Sequence, residues 1–148
     1  TKSVKSTVST LRNRDVKGWW NEAQLQVKLN ESMDFDLGIM GGFDSGSQQG
    51  DSFSAQAYGV LLNGRFFFKK TGRLHTRVSW AKALEKNNSE YLPPEALNGY
   101  PIGTSFRSNT RLQYFLNRSV SMIFTLNTID DDRYDNFITF QGEIRAHF

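Results

Sequence analysis

Apolar residues recur at every second position over most of this chain, and helical periodicity is almost absent. Successive side chains of a strand point to opposite faces of a sheet, so this alternation marks strands with one apolar and one polar side. The pattern and its turn residues predict about eight strands, over residues 3–12, 19–29, 33–43, 53–68, 73–82, 106–116, 120–128 and 137–148. Only Ala81 to Lys86 has the composition for a turn or two of helix.

The final strand is the cleanest. Ile138, Phe140, Gly142, Ile144, Ala146 and Phe148 share one face, and Thr139, Gln141, Glu143, Arg145 and His147 share the other. The second strand sets Trp19, Ala23, Leu25, Val27 and Leu29 against Glu22, Gln24, Gln26 and Lys28, and the third sets Met33, Phe35, Leu37, Ile39 and Phe43 against Asp34, Asp36 and Gly38. In the fourth, Tyr58, Val60, Leu62, Phe66 and Phe68 oppose Gln56, Asn63 and Arg65, with Leu61 and Phe67 interrupting the polar side. The fifth opposes Leu74, Val78 and Trp80 to His75, Arg77 and Ser79. In the sixth and seventh, Leu112, Tyr114, Leu116, Val120, Met122, Phe124 and Leu126 oppose Arg111, Gln113, Ser121 and Thr125. The first segment, Ser3 to Arg12, has strand propensity but offers an apolar face only Val4 and Val8.

Tight turns are expected at Asn30-Glu31-Ser32, Lys69-Lys70-Thr71-Gly72 and Asn117-Arg118-Ser119, with longer polar loops near 12–18, 44–52, 83–105 and 129–136. One hairpin motif repeats, since Leu29-Asn30-Glu31-Ser32-Met33 parallels Leu116-Asn117-Arg118-Ser119-Val120. Alternation of short and long connections is the pattern of membrane barrels, whose periplasmic turns are tight. It predicts both chain ends on the periplasmic side.

Composition sharpens this picture. At 148 residues the prior is a single domain over 1–148. The hydrophobic fraction is only 38%, yet aromatics make up 14%, which suits thin apolar stripes better than a thick interior. No stretch approaches the roughly 18 apolar residues of a membrane helix, so a membrane could be crossed only by strands. The strands are long enough, since a tilted crossing strand needs about 9 to 11 residues. The opening Thr1-Lys2-Ser3 has neither initiator methionine nor apolar leader, so the start reads as processed or cut. A net charge of +3 spread along the chain does not indicate nucleic acid. The absence of cysteine removes disulfides and thiolate metal sites, and no motif implies a cofactor.

With this pattern, and the ending Gly142-Glu143-Ile144-Arg145-Ala146-His147-Phe148, the chain resembles bacterial outer-membrane β-barrel proteins over nearly its whole length. The resemblance implies an all-β, antiparallel up-and-down transmembrane β-barrel of about eight strands, or the C-terminal section of a larger barrel. It also implies contact with outer-membrane lipid, and an insertion signal at Ile144, Ala146 and Phe148 read by the barrel-insertion machinery. The implied function is a membrane-anchored scaffold with loops that meet a protein or saccharide partner, or part of an export or uptake pore.

Two other readings compete. In a soluble lipocalin-like carrier the apolar faces would point inward around a ligand, and Gly18-Trp19-Trp20 satisfies the Gly-x-Trp of the lipocalin entry strand. Against it stand polar faces built from Arg, Gln, Asp and Ser, and aromatics near strand ends, where a membrane protein places its interfacial girdle. A lipid-modifying enzyme would need Ser, His and an orienting acid exposed to acyl chains. His75 and Ser79 lie on one side, but parity puts both inside, and His147 lies at the rim. No catalytic residue is assigned.

The polar faces collect Glu22, Lys28, Asp34, Asp36, Arg65, His75, Arg77, Arg107, Arg111, Glu143 and Arg145. In a closed barrel of about eight strands these side chains fill the interior and pair their charges, whereas in a wider one they select a solute path. The acidic run Asp130-Asp131-Asp132-Arg133-Tyr134-Asp135 has no calcium-loop spacing and reads as solvated. The long loop near 83–105 carries Tyr91, Leu92, Leu97, Tyr100, Ile102 and Phe106, too apolar for plain solvent filler. Of these, Tyr91, Leu92, Tyr100 and Phe106 are contact candidates, folded over the barrel mouth or offered to a partner.

Overall fold

Two asparagines set the matching hairpins. Asn30 Oδ1 accepts the Ser32 N–H at 2.8 Å, and Asn117 Oδ1 accepts the N–H groups of Ser119 and Val120, each at 2.8 Å. An Asx side chain that bonds backbone two residues on replaces a backbone turn, so the repeated Asn-x-Ser specifies the same reversal twice.

The computed structural model describes residues 2–4, 14–48, 51–68, 71–86, 92–132 and 134–146. It contains one antiparallel sheet in strict sequence order, β1 (Lys2–Val4), β2 (Arg14–Asn30), β3 (Met33–Gln48), β4 (Asp51–Phe68), β5 (Gly72–Glu85), β6 (Gly103–Phe115), β7 (Val120–Asp131) and β8 (Tyr134–Ala146). Seven strands are long and β1 has three residues, so most of the predicted first strand lies outside the described residues. No α-helix occurs among the described residues; a 3-10 turn at Ala96–Gly99 follows β5.

The faces follow the predicted parity, because cross-strand partners point the same way. Leu25 pairs with Leu37, Leu37 with Leu62 and Leu62 with Val78 on one face, and Lys28, Asp34, Arg65, His75, Arg111, Thr125 and Gln141 form a continuous row on the other. Gln56 departs from expectation. It pairs with Phe43 on the apolar side, since its even position matches Tyr58 and Val60. The polar face is the inner one. Arg77 on β5 reaches across two intervening strands to Glu22 on β2 at 3.0 Å, and Asn63 donates to Gln24 Oε1 at 3.1 Å, which requires the sheet to curl toward this side.

Several boundaries differ from the sequence reading. Residues 44–48 and 51–52, read as loop, continue the β3–β4 ladder to the pair Gln48 and Asp51, and β7 pairs with β8 up to Asp131 and Tyr134. Ala81 to Glu85 extends β5 as strand and makes no helical turn. The periodicity signal fades there because both faces carry small or polar residues, yet backbone pairing does not need an apolar side chain. The connections near 44–52 and 129–136 are therefore short, and among the described residues only the segment between β5 and β6 is long. The expected regular alternation of short and long connections is not present.

The sheet is also not closed into a barrel. No pairing joins β8 to β1 or β2 among the described residues, and β1 covers only Arg14, Asp15 and Val16 of β2. Among the described residues no strand pairs with β2 beyond Val16 on this side, or with the outer side of β8.

Candidate functional site

The inner face changes character along the strands. At the tight-turn end it is charged. The row Lys28, Asp34, Arg65, His75, Arg111 is followed by Gln26, Asp36, Asn63, Arg77, Asn109, Asn127, Thr139. Toward the opposite end the same face becomes small. Gly42 and Gly46 on β3, Ala55, Ala57 and Gly59 on β4, Ala81 and Ala83 on β5 and Gly103 and Ser105 on β6 leave a bay with little side-chain volume.

The long connection fills that bay. Leu97 and Tyr100 are buried in one cluster with Met40, Ala55, Ala57, Leu61, Ala81 and Ala83, and Trp20, Leu92 and Ile102 pack against it. Ala96 joins a second cluster with Val16 and Phe53. The fit needs small residues. A Cβ at Gly59 would lie 2.8 Å from both the Ala81 Cα and the Met40 Cε.

Polar contacts fix the inserted segment. The Leu97 N–H donates to Asp44 Oδ2 at 2.6 Å in buried surroundings, and Tyr100 OH lies 3.1 Å from Ser79 Oγ. The Tyr100 ring stacks on Trp20 with centroids 5.6 Å apart, and the Arg107 guanidinium sits over the Tyr100 ring, 4.0 Å from its centroid. Arg107 also donates to the Gly99 carbonyl at 2.6 Å and lies 3.8 Å from Asp131. The backbone at Leu97, Asn98 and Gly99 is left-handed, with φ of 49°, 55° and 81°. Two successive non-glycine residues in that region cost free energy, so the surrounding contacts must hold them there.

The charged end is organised by pairs. Arg65 donates to Asp34, and to Asp36 Oδ1 at 2.9 Å, so one guanidinium serves two carboxylates. Glu22 receives Arg77, and Glu143 receives Arg145 at 2.7 and 3.1 Å within β8. Asn127 links Asn109 to Thr139 Oγ1, donating to the latter at 3.2 Å. Arg111 and His75 are register partners and make no hydrogen bond or ion pair with a described residue.

All eleven expected inner-face residues thus lie on one face; eight of them make local ion pairs, Arg65 with Asp34 and Asp36, Arg77 with Glu22, Arg107 with Asp131 and Arg145 with Glu143, while Lys28, His75 and Arg111 make none with a described residue. Leu92 and Tyr100 are part of the inserted segment, and Tyr91 lies outside the described residues. Phe106 is not a loop residue. It belongs to β6, paired with Trp80 on the outer face, because the ladder starts three residues earlier at Gly103. Ile144 and Ala146 take the outward parity of β8, opposite Met122 and Val120, while His147 and Phe148 lie outside the described residues. Ser79 is engaged by Tyr100, and His75 belongs to another row. Among the described residues no group of three or more His, Cys, Asp or Glu is placed to hold a metal ion.

Sequence reasoning missed Asp44, Met40, Trp20 and Arg73 as parts of the inner face's working set. The signal that could have found the first three is the run of Gly and Ala at inward positions, which marks a place where something must pack close. Comparison with protein-family models, curated proteins and solved structures gives no match.

Proposed function

We propose that this chain is part of the wall of a bacterial outer-membrane β-barrel, serving as a membrane-anchored scaffold that carries an inserted segment on its inner face. The observation that carries the reading is the inversion of the faces. Leu25, Leu37, Ile39, Val60, Phe140 and Ile144 are exposed, the last at 70%, while Asp36, Asp44, Asn63 and Ser79 are buried. A soluble carrier needs the opposite arrangement, because a contiguous apolar surface of this extent in water is an aggregation hazard.

The spacing of outer aromatics fits a bilayer. Tyr58 and Phe68 lie ten positions apart on the outer face of β4, about 33 Å of strand at about 3.3 Å per residue. A tilt of about 35–45° reduces this to about 25 Å, the height of the apolar band of such barrels. Trp19, Trp80, Phe106 and Tyr114 supply further exposed outer aromatics. The turns between β2 and β3, β4 and β5, and β6 and β7 then face the periplasm, and the segment between β5 and β6 enters from the opposite end, where the β3–β4 and β7–β8 connections are also short.

The described sheet is not closed, so in a barrel its outer strands pair with further strands outside the described residues. Unpaired backbone N–H and C=O groups in hydrocarbon cost several kcal/mol each, so β2 and β8 both take strand partners in lipid. A pore section fits this reading as well as a passive wall does.

Detergent phase separation tests the membrane location: the chain enters the detergent phase, and recovery in the aqueous phase would sink the reading. Closure is tested with cysteine pairs, in a chain that has no native cysteine. Pairs walked along Leu25, Val27 and Leu29 on β2 against Phe140, Gly142 and Ile144 on β8 should give no intrachain disulfide in membranes. Efficient cross-linking would mean that the two edges meet in a small closed barrel.

A further inference from the structure

Between Phe67, Arg73 and Gln113 on one cross-strand row and Arg65, His75 and Arg111 on the next lies a cavity of about 340 Å³. We infer that this cavity is a binding site for a small organic oxyanion, a phosphate or carboxylate carried on an apolar or aromatic group. The cavity is built by adjacent strands β4, β5 and β6, so the inference does not depend on the sheet being in a membrane.

Charge balance is the first argument. Two carboxylates near the cavity, Asp34 and Asp36, are both taken by Arg65, and Glu143 is taken by Arg145. Arg73 spends its Nε on the neutral Gln113 Oε1 at 2.9 Å, which orients the guanidinium, and it makes no ion pair with a described residue. Arg111, which pairs in register with His75, makes no close ion pair with a described residue, and the carboxylate its charge acts on, Glu143, is already held by Arg145. Two guanidinium groups and an imidazole therefore line one cavity with their donors available. A guanidinium fork matches two oxygens of a phosphate or carboxylate, and strands about 4.8 Å apart set His75 and Arg111 at a spacing one oxyanion can bridge.

Geometry and chemistry of the wall give the second argument. Phe67 is an exposed aromatic with inward parity beside Arg73 and Gln113, and it lines the same cavity. An inorganic ion has no use for it. A ligand whose anionic end meets Arg73, His75 and Arg111 can lay its apolar part on that ring, the usual division of a small-molecule site into an apolar wall and a few convergent polar groups. Arg65, locked by two aspartates, acts as a positioning residue for the floor of the cavity.

The test uses the full chain folded in detergent micelles and titrated with phenyl phosphate, with benzylamine as the cationic counterpart. Saturable binding of phenyl phosphate is expected, about tenfold weaker in Arg111→Gln, as loss of a charged hydrogen bond implies. Phe67→Ala should weaken phenyl phosphate while leaving inorganic phosphate unchanged. Strand content by circular dichroism confirms that each variant folds, and Arg73→Gln gives a second, independent reading if Arg111→Gln does not. Absence of saturable binding, equal binding of benzylamine, or affinity unchanged in both arginine variants would overturn the inference.

Discussion

Asp44, on the inner face of β3, accepts the backbone N–H of Leu97 at 2.6 Å, and both residues are buried. The bond joins the sheet to the turn of the inserted segment where the backbone is left-handed. Asp44→Ala should leave that N–H unsatisfied and lower stability by about 1–3 kcal/mol. It should also speed chymotryptic cleavage at Leu97 and Tyr100, whereas Asp44→Asn, which keeps an acceptor, should protect them. Equal cleavage of the alanine variant and the parent protein would show that the bond does not hold the segment.

The strands and the direction of their faces could be read from the chain, because both follow from a period of two that the apolar residues state directly. Leu25, Leu37, Leu62 and Val78 needed no tertiary knowledge to be placed together. What Leu97 and Tyr100 do could not be read in the same way. Their burial depends on space left by Ala57, Gly59 and Ala81, residues far away in sequence whose smallness carries no periodic signal. Strand ends are not legible for a related reason: at Asp44 to Ser47 the ladder is kept by backbone pairing after the alternation has gone. The pattern puts Phe106 at the boundary between loop and strand, because the true strand start at Gly103 is marked by small polar residues only.

Arg65 holds two carboxylates, and its removal should be felt through them. With Arg65→Ala, Asp34 and Asp36 lose the guanidinium that bonds them both, and a loss of about 2–3 kcal/mol is expected from charged hydrogen bonds alone. Adding Asp34→Asn and Asp36→Asn should return part of it by removing their mutual repulsion. Denaturant titration of the single and triple variants measures both effects. A triple variant no more stable than Arg65→Ala would show that repulsion is not the cause.

The outer face gives a test that separates lipid from water. Leu37 is 61% exposed, near the middle of the apolar band, and Phe68 lies at its turn end. In lipid, Leu37→Arg should cost about 2–4 kcal/mol and Phe68→Arg only about 0–1 kcal/mol in the charge term. In water an arginine at an exposed site of this kind is nearly neutral, within about 0.5 kcal/mol. Unfolding in lipid vesicles reads the difference, and equal, small effects at both positions would remove the support for a membrane-facing surface.

The bay of small residues should be intolerant of volume for a reason specific to the inserted segment. Ala57 is 4% exposed and packs in the cluster that contains Leu97 and Tyr100. Ala57→Leu adds methylenes to space already occupied, and over-packing of this kind costs about 1–3 kcal/mol. If the clash is with Tyr100, then Tyr100→Ala, destabilising by itself through loss of its contacts with Trp20 and Arg107, should become nearly neutral or favourable in the Ala57→Leu background. A double-mutant cycle isolates that coupling from the cost of each change. Additive effects would mean that leucine is accommodated without disturbing the segment. A strong coupling would identify the bay as the seat that selects the segment's inserted position, and its loss should accompany faster proteolysis at Tyr100.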